Sequence, residues 1–234
     1  MTELRLDWCD VKAARYAVEH WHYSKSMPVP PQIFIGVWEL QKYIGCVIFS
    51  RGANANLGTT YGLEQIEVCE LTRVALNTHI TPVSKILSLA IKMLRKKEIG
   101  LRLIVSYADV NHEHLGIIYQ ATNWVYVGCQ RGGDMFMDTV GKLWHSRQVS
   151  ANGVRKQFGQ LRRVPKPDDC ERIVSMGKHK YLMPLDDAMR KQIVPLAKPY
   201  PKRETCGTGE TDNAAHSNAQ TGGASPTVPL IDIQ

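Results

Sequence analysis

The sequence predicts a mixed α/β sheet with strand–helix–strand crossovers near its centre and a basic C-terminal extension. Three observations support this class. Two strand-like apolar runs follow each other closely, an amphipathic helix separates two further strand-like runs, and 44% of the 234 residues are hydrophobic. A chain of this length and composition is long enough to bury one full core.

The predicted elements of the core alternate between helical and strand-like patterns. In chain order, they are a helix over 11–22, a hairpin of strands 33–40 and 43–50, a strand over 67–76, a helix over 82–97, a strand over 101–108, a helix over 112–122 and a strand over 124–129. Asp10 is the expected N-cap of the first helix. Thr81 is the expected N-cap of the second, with Pro82 as its first residue, where a missing N–H costs nothing.

The C-terminal part of the chain differs in composition. Residues 142–204 hold fifteen Lys and Arg against six acids, and two helix-like pieces at 147–159 and 186–194 lie around strand-like segments. We expect a catalytic core over 1–141 and an extension over 142–204 that completes the fold and contacts a partner. The segment 205–234 is rich in Gly, Thr, Ser, Asn and Ala, which predicts a disordered tail.

The charge indicates a polyanionic partner, nucleic acid first. The formal net charge is +7, and residues 1–204 hold all 29 Lys and Arg but only 19 of the 22 acids. No apolar stretch approaches the roughly 18 residues of a membrane span, so no membrane is expected. The six cysteines are far apart and form no CxxC pair, which is typical of a cytoplasmic protein with reduced thiols.

One segment carries a specific pattern. In SYADVNHEHLGIIYQATNWVYVG (106–128), a strand is followed by Asn111, a helix with Tyr119, and then Asn123 before another strand. This order resembles GNAT-type acyltransferases, and the blocks from residue 10 to 140 match that family as well. The resemblance implies that Tyr119 is the acid that reprotonates the departing thiolate of coenzyme A. The alternative is a tyrosine of the core.

The phosphate-binding loop of that family is not present in its usual form. GNAT enzymes have a Gly-rich loop between their fourth strand and the helix that follows it, whereas the corresponding segment NTHITPVSKIL contains no glycine. A helix N-terminus with Thr81 and Ser84 still suits an anion, so both are predicted to contact the donor. The alternative for each is simple capping. The donor is expected to be acetyl-CoA or another acyl or glycyl-type compound.

A narrower resemblance rests on four segments taken in order. EHWHYSKSMP (19–28), CELTRVAL (69–76), SYADVNHEHLG (106–116) and GKHKYLMPL (177–185) are similar to the Mom family of phage DNA-modification proteins, over roughly residues 8–185. The resemblance implies conversion of adenine in double-stranded DNA to a carbamoylmethyl (acetamido) derivative at the exocyclic amine. That change protects phage DNA from host restriction, and the enzyme would act in the host cytoplasm.

The resemblance also implies the site residues. His22, Tyr23 and Asp109 carry over as catalytic residues and as ligands of iron, a second candidate cofactor. The alternatives are a histidine that interacts with a helix dipole and an aspartate that caps the next helix. Arg73 lies inside a central strand, where a cation needs an anionic partner, and is predicted to bind a phosphate or donor carboxyl. A buried acid is its alternative partner.

The predicted DNA contacts lie in the extension, at Arg147, Arg155, Lys156, Arg162, Arg163, Lys178 and Lys180. An adenine inside a duplex has to be exposed before it reacts, which predicts base flipping. Two other functions stay open on the sequence: an acyl-CoA-dependent N-acyltransferase for a protein or small-molecule amine, and a non-catalytic DNA-binding protein. The oligomeric state is also open, with a homodimer as one alternative.

Overall fold

The structure is a computed structural model that describes residues 3–52, 54–157 and 159–202. The tail predicted over 205–234 lies outside the described residues. Among the described helices, none combines the length and the apolar character that crossing a membrane requires.

The strands are β1 (Leu4–Trp8), β2 (Gln32–Glu39), β3 (Lys42–Ser50), β4 (Val68–Leu76), β5 (Leu103–Asp109), β6 (Val125–Gln130), β7 (Met135–Met137), β8 (Leu143–His145), β9 (Val154–Gln157), β10 (Gln160–Arg163), β11 (Glu171–Ile173) and β12 (Lys178–Pro184). The α-helices are α1 (Val11–Trp21), α2 (Val83–Lys97), α3 (Ile117–Gln120) and α4 (Asp187–Ile193). Short 3₁₀ turns lie at Thr59–Tyr61, Val110–His112, Pro167–Asp169 and Val194–Leu196.

Seven strands form the main sheet in the order β1-β2-β3-β4-β5-β12-β6. Neighbouring strands are antiparallel except for β4 and β5, which are parallel and are joined by α2 as a crossover. The predicted hairpin is β2–β3, and the predicted order of helices and strands is recovered from α1 through β6. The edge strand β1 was not predicted. The GNAT-like mixed sheet expected from the sequence is confirmed.

Apolar periodicity positions the two long helices on opposite faces of the sheet. Asp10 accepts a hydrogen bond from the Ala13 amide (2.7 Å) and starts α1, which buries Ala14, Ala17 and Val18 against β3. Helix α2 buries a stripe at i, i+3, i+4 spacing against the other face, made of Ile86, Leu87, Ala90, Ile91 and Leu94. Helix α4 packs beside β12 on the α1 face.

The start of α2 differs from the prediction. The N-cap is Pro82, and Thr81 is not the cap because its hydroxyl donates to Glu39 Oε1 (2.6 Å). The amides of Ile80 and Thr81 donate to the same carboxylate, at 2.7 and 2.8 Å. Glu39 is buried at the end of β2. This carboxylate therefore satisfies the donors of the segment that leads into α2 and joins that segment to the sheet.

The helix predicted over 112–122 is wrong. The chain instead forms the 3₁₀ turn Val110–His112 and the four-residue α3, and Gly116 between them has a left-handed φ of +69°. A Cβ atom at Gly116 would lie 2.4 Å from the Tyr181 ring. Because Gly116 has a left-handed φ and lies close to that ring, a helix does not continue through it and the segment packs on the sheet.

The helix predicted over 147–159 is also wrong. Residues 154–157 pair with 160–163 as the antiparallel ribbon β9–β10. Gly153 and Gly159 have φ values of +67° and +80°, which suit turns rather than a helix.

The small sheets form an insertion into the main sheet. The chain leaves β6 at Gln130 and returns at Lys178, and residues 131–177 include a three-stranded sheet of β7, β8 and β11 beside the ribbon. The boundary expected between 141 and 142 separates β7 from its partner β8. The architecture is therefore one main sheet, built from residues 3–130 and 178–202, with an insertion over 131–177.

We predict that Glu39→Gln lowers the urea midpoint of unfolding at pH 7 with an unchanged m value. Hydrogen bonds from Thr81 and from the Ile80 and Thr81 amides hold the pKa of Glu39 below its usual 4.5. The carboxylate thus stabilises the fold fully above the pKa of the unfolded state, and this contribution is lost as pH falls through the folded pKa. The difference between the urea midpoints of wild type and Glu39→Gln should therefore narrow below pH 4.5.

The control is Glu19→Gln on the exposed face of α1. Equal midpoints for wild type and Glu39→Gln at pH 7 would contradict the role given to this carboxylate.

Candidate active site

The parallel strands β4 and β5 pair only at their first residues. The register runs from Val68–Leu103 to Leu71–Ser106, and beyond that point the strands separate. Thr72 is an extra residue in β4, because Ile48 of β3 pairs with Arg73 while Phe49 pairs with Leu71. A crevice of about 480 Å³ opens where the strands part. Its size lies within the roughly 300–1,000 Å³ of small-ligand sites.

Ser106 is the last residue of β5 that pairs with β4, and it is fully buried. Its hydroxyl oxygen lies 2.8 Å from the Leu71 carbonyl oxygen and 2.8 Å from the Tyr119 hydroxyl. A carbonyl only accepts, so the serine hydrogen goes to Leu71 and the Tyr119 O–H donates to Ser106. Ser106 thus bonds to β4 where the regular pairing ends, and holds Tyr119 at the crevice floor.

The environment keeps Tyr119 protonated. Burial raises its pKa to about 12. Its ring packs against Trp124 and Tyr181, with ring centroids 5.0 and 5.1 Å away. Tyr119 therefore lines the predicted site and is also a member of the core. In this arrangement its O–H is directed to Ser106, which suits an orienting hydroxyl better than a free acid.

His22 lies in the crevice wall in its neutral form. The Ser24 amide donates to its Nδ1 (3.1 Å), so the neutral ring carries its hydrogen on Nε2. Burial lowers its pKa from 6.5 to about 4, and the charges of Arg73, His114, Lys25 and His112 act in the same direction. At neutral pH the ring is a hydrogen-bond donor through Nε2 and carries no charge.

Tyr23 is surrounded by histidines. Its ring centroid lies 4.4 Å from that of His22, 4.5 Å from that of His112 and 5.2 Å from that of His114. Its pKa is raised, first by burial and then by the charge of Asp109. His112 and His114 are exposed, and both rings pack against the side chain that was predicted to react.

Arg73 contributes a positive charge to the crevice. Its Nε donates to the Ser26 carbonyl (3.1 Å) and one terminal nitrogen donates to the Thr72 carbonyl (2.7 Å). These partners fix the guanidinium without neutralising it, and burial lowers its pKa. The charge of Glu70 also acts on Arg73. A cation whose hydrogen-bond partners are neutral, inside a cleft, favours an anionic or strongly polar ligand.

Asp109 lies at the rim and is already engaged. Its Oδ1 accepts hydrogen bonds from the amide and side chain of Asn111, at 3.0 and 3.1 Å, and its Oδ2 lies 3.4 Å from Lys178 Nζ. The capping alternative for Asp109 is thus realised, on a 3₁₀ turn. The charge remains near Tyr23, where it also suits a chemical role.

The residues predicted to bind the donor are not all brought together. Arg73 lines the crevice, whereas the hydroxyl and amide of Thr81 are both bound to Glu39. Thr81 is therefore corrected from a donor contact to a structural residue. Ser84 lies half-buried in the first turn of α2 and stays a prediction. The sequence did not indicate Glu39, because it is 42 residues from Thr81 along the chain.

The predicted DNA contacts divide into three groups. Lys180 is buried over the Tyr61 ring, with Nζ 5.0 Å from the centroid, so it is corrected to a core residue. Lys178 is half-exposed and pairs with Asp109. The others are exposed on the insertion, namely Arg147, Arg155, Lys156, Arg162 and Arg163.

The ligands predicted for iron lie near one another, but His22 and Asp109 already have other partners. Within the described ranges, no group of three or more His, Cys, Asp or Glu side chains is arranged to hold a metal ion. His22 Nδ1 accepts from Ser24, and both oxygens of Asp109 have partners. These residues do not fit a metal centre in the arrangement observed.

Ser106 and Gly116 are the site residues that the sequence did not reveal. Ser106 reads as one polar residue within a buried strand, and Gly116 reads as part of a helix. Gly116 carried one signal, since a glycine within a helical pattern is unfavourable and requires a structural reason.

The fold and the site define the class of the protein. It has a GNAT-like mixed sheet, with a ligand crevice where the parallel strands separate. The chain belongs to the Mom protein family, whose family model matches residues 3–202. The methylcarbamoylase Mom of Escherichia phage Mu is 25% identical over 209 residues, which cover 86% of this chain and 84% of that protein.

Two solved structures are similar to this chain in fold. FeeM, an N-acyl amino acid synthase from uncultured soil microbes, matches with a TM-score of 0.45 and 9% identity, over 82% of this chain and 95% of its own. An aminoglycoside 6'-acetyltransferase type Ii matches with a TM-score of 0.42 and 12% identity, over 78% of this chain and 97% of its own.

We predict that His22 makes the stability of the protein pH-dependent between about 6.5 and 4. The folded state keeps the ring neutral while the unfolded state takes up a proton, so the free energy of unfolding falls as pH falls through this window. Keeping His22 neutral makes the free energy of unfolding roughly 2–3 kcal/mol higher above pH 6.5 than at pH 4.

His22→Asn removes the titration but keeps an acceptor for the Ser24 amide. In urea unfolding at several pH values, the difference between wild type and variant should shrink from pH 7 to pH 4. Parallel curves over this range would show that His22 is not held neutral by the fold.

Proposed function

We propose that the protein is a DNA-modifying transferase that converts adenine in double-stranded DNA to a carbamoylmethyl derivative at the exocyclic amine. Membership of the Mom family supports this function, as does the name of the relative from phage Mu. The main structural support for the proposal is the crevice. It is lined by side chains from distant parts of the chain, namely His22, Tyr23, Arg73 and Tyr119.

The proposed reaction forms one bond and breaks another. The exocyclic nitrogen of adenine bonds to a carbon of the transferred group, and the bond from that carbon to the leaving group breaks with its electron pair. The amine also loses a proton. Because this amine is weakly nucleophilic, a nearby carboxylate that accepts the proton would accelerate the step, and Asp109 is the carboxylate at the rim.

The other side chains orient the reactants. Arg73 would bind an anionic or carbonyl group of the donor, and Nε2–H of His22 would donate to an acceptor on the base or donor. Tyr23 would carry its hydroxyl between Asp109 and the base, and Tyr119 would hold the crevice floor. The adenine would have to leave the base stack to enter the crevice.

The donor is an acyl-type or glycyl-type compound that reaches Arg73. A pyrophosphate bound by the amides of Ile80 and Thr81 does not fit, because the Glu39 carboxylate occupies those donors. These two amides are therefore not available to the pyrophosphate of coenzyme A. The arrangement of His22 and Asp109 does not fit iron either.

Nucleoside mass spectrometry of plasmid DNA from bacteria that express the protein tests this function. Wild type should yield an adenosine heavier by one carbamoylmethyl group. Arg73→Gln and Asp109→Asn should reduce its yield roughly tenfold or more, since each removes a charge at the crevice. Arg95→Gln, at the exposed end of α2, is the matched control and should retain the yield of wild type.

Two outcomes would reject the proposal. Unmodified DNA with folded wild-type protein that transfers an acyl group to another amine would establish the N-acyltransferase alternative. Duplex binding without any modified nucleoside would establish the non-catalytic DNA-binding protein.

A further inference from the structure

The insertion leaves the main sheet where the crevice opens. Lys178 pairs with Asp109 at the end of β5 and with Gln130 at the end of β6, so both ends of the insertion lie at this edge. The amide of Met176 donates to the side chain of Asn111 (3.2 Å), and the amide of Val110 donates to the Gly177 carbonyl (3.3 Å). A ligand bound to the insertion would therefore be near the crevice rim.

Within the insertion, β9 and β10 form a separate two-stranded ribbon. They pair with each other and with no other described strand. A lone pair of strands is marginally stable in water. A ribbon of this kind is suited to gain stability from a partner that it contacts.

The register of the ribbon places two arginines side by side. Arg155 is directly opposite Arg162, so both side chains lie on one face of the ribbon. Lys156 and Arg163 lie on the other face, and all four side chains are exposed. Like charges directly opposite each other are unfavourable, by up to about 1 kcal/mol.

The surrounding chain supplies no opposite charge. Between Asp138 and Asp168 the sequence has seven Lys and Arg and no acid. Among the described residues, the ion pairs involve none of the four basic side chains of the ribbon. An anionic ligand from outside would relieve the repulsion between Arg155 and Arg162.

We propose that the ribbon β9–β10 inserts into the major groove of duplex DNA, with Arg155 and Arg162 directed at the base edges. The major groove is wide enough for a two-stranded ribbon, whereas the minor groove is too narrow. Arginine binds the guanine O6 and N7 atoms with two hydrogen bonds. Four residues per strand extend roughly 13 Å, which matches about four base pairs.

This inference rests on the proposed function for its choice of DNA, and adds that the protein reads base sequence next to the adenine it modifies. A-form RNA has a deep, narrow major groove that side chains do not read. Double-stranded RNA of the same sequence should therefore bind more weakly than DNA.

The test is fluorescence anisotropy with the full chain and a labelled DNA duplex. Arg155→Gln/Arg162→Gln should weaken binding about tenfold or more. Lys92→Gln/Lys96→Gln removes the same charge from the exposed face of α2 and should change affinity much less. Circular dichroism and thermal melting show that both double variants are folded.

The groove is tested with two modified duplexes. Methylation of guanine N7 should weaken wild-type binding and leave the Arg155→Gln/Arg162→Gln variant unaffected, because only the wild type contacts that edge. A minor-groove ligand should displace neither protein. Equal losses in the two double variants, displacement by the minor-groove ligand, or equal affinity for the RNA duplex would overturn the proposal.

The two proposals fail in different ways. If plasmid DNA is modified equally by wild type and Arg155→Gln/Arg162→Gln, the ribbon does not guide the enzyme and the proposed function stands. If the ribbon binds the major groove while DNA from wild-type cells stays unmodified, the inference stands and the proposed function fails.

Discussion

The rest of the structure depends on the hydrogen bond that the Ser106 hydroxyl donates to the Leu71 carbonyl. It bonds β5 to β4 at the last residues of their regular pairing, and the Thr72 bulge then directs β4 away. The gap becomes the crevice, and the same Ser106 hydroxyl accepts from Tyr119 and fixes the floor. The crevice thus follows from how two strands stop pairing. Burial of Ser106 without these partners would cost free energy, so the arrangement also stabilises the core.

The charges around this gap favour anionic and polar ligands. Arg73 is positive within the crevice, and it helps to keep His22 neutral. At the start of α2 the chain supplies its own anion, because the Glu39 carboxylate accepts the hydrogen bonds of the Ile80 and Thr81 amides. The insertion at the crevice rim presents further exposed cations. A polyanion held outside, with a polar donor held inside at Arg73, satisfies both sets of charges.

Local patterns predicted most of the main sheet, because apolar periodicity and turn residues act over short distances. The helix α2, the hairpin β2–β3 and the order of strands from β2 through β6 followed from them, whereas β1 did not. Contacts between distant residues were missed. From the sequence, Thr81 is expected to cap α2, but in the fold it binds Glu39. Lys180 is expected on the surface, but it lies over Tyr61. The segment 147–159 is expected to be helical, but part of it pairs with β10. The family resemblance, rather than periodicity, indicated His22, Tyr23, Asp109 and Tyr119.

A crystal structure of the protein with a DNA duplex that contains one unpaired adenine tests the central claim most directly. The account predicts an adenine out of the base stack, with its exocyclic amine in the crevice between β4 and β5, near Arg73 and Asp109. A duplex bound elsewhere, with the adenine stacked and the crevice closed to it, would contradict the account.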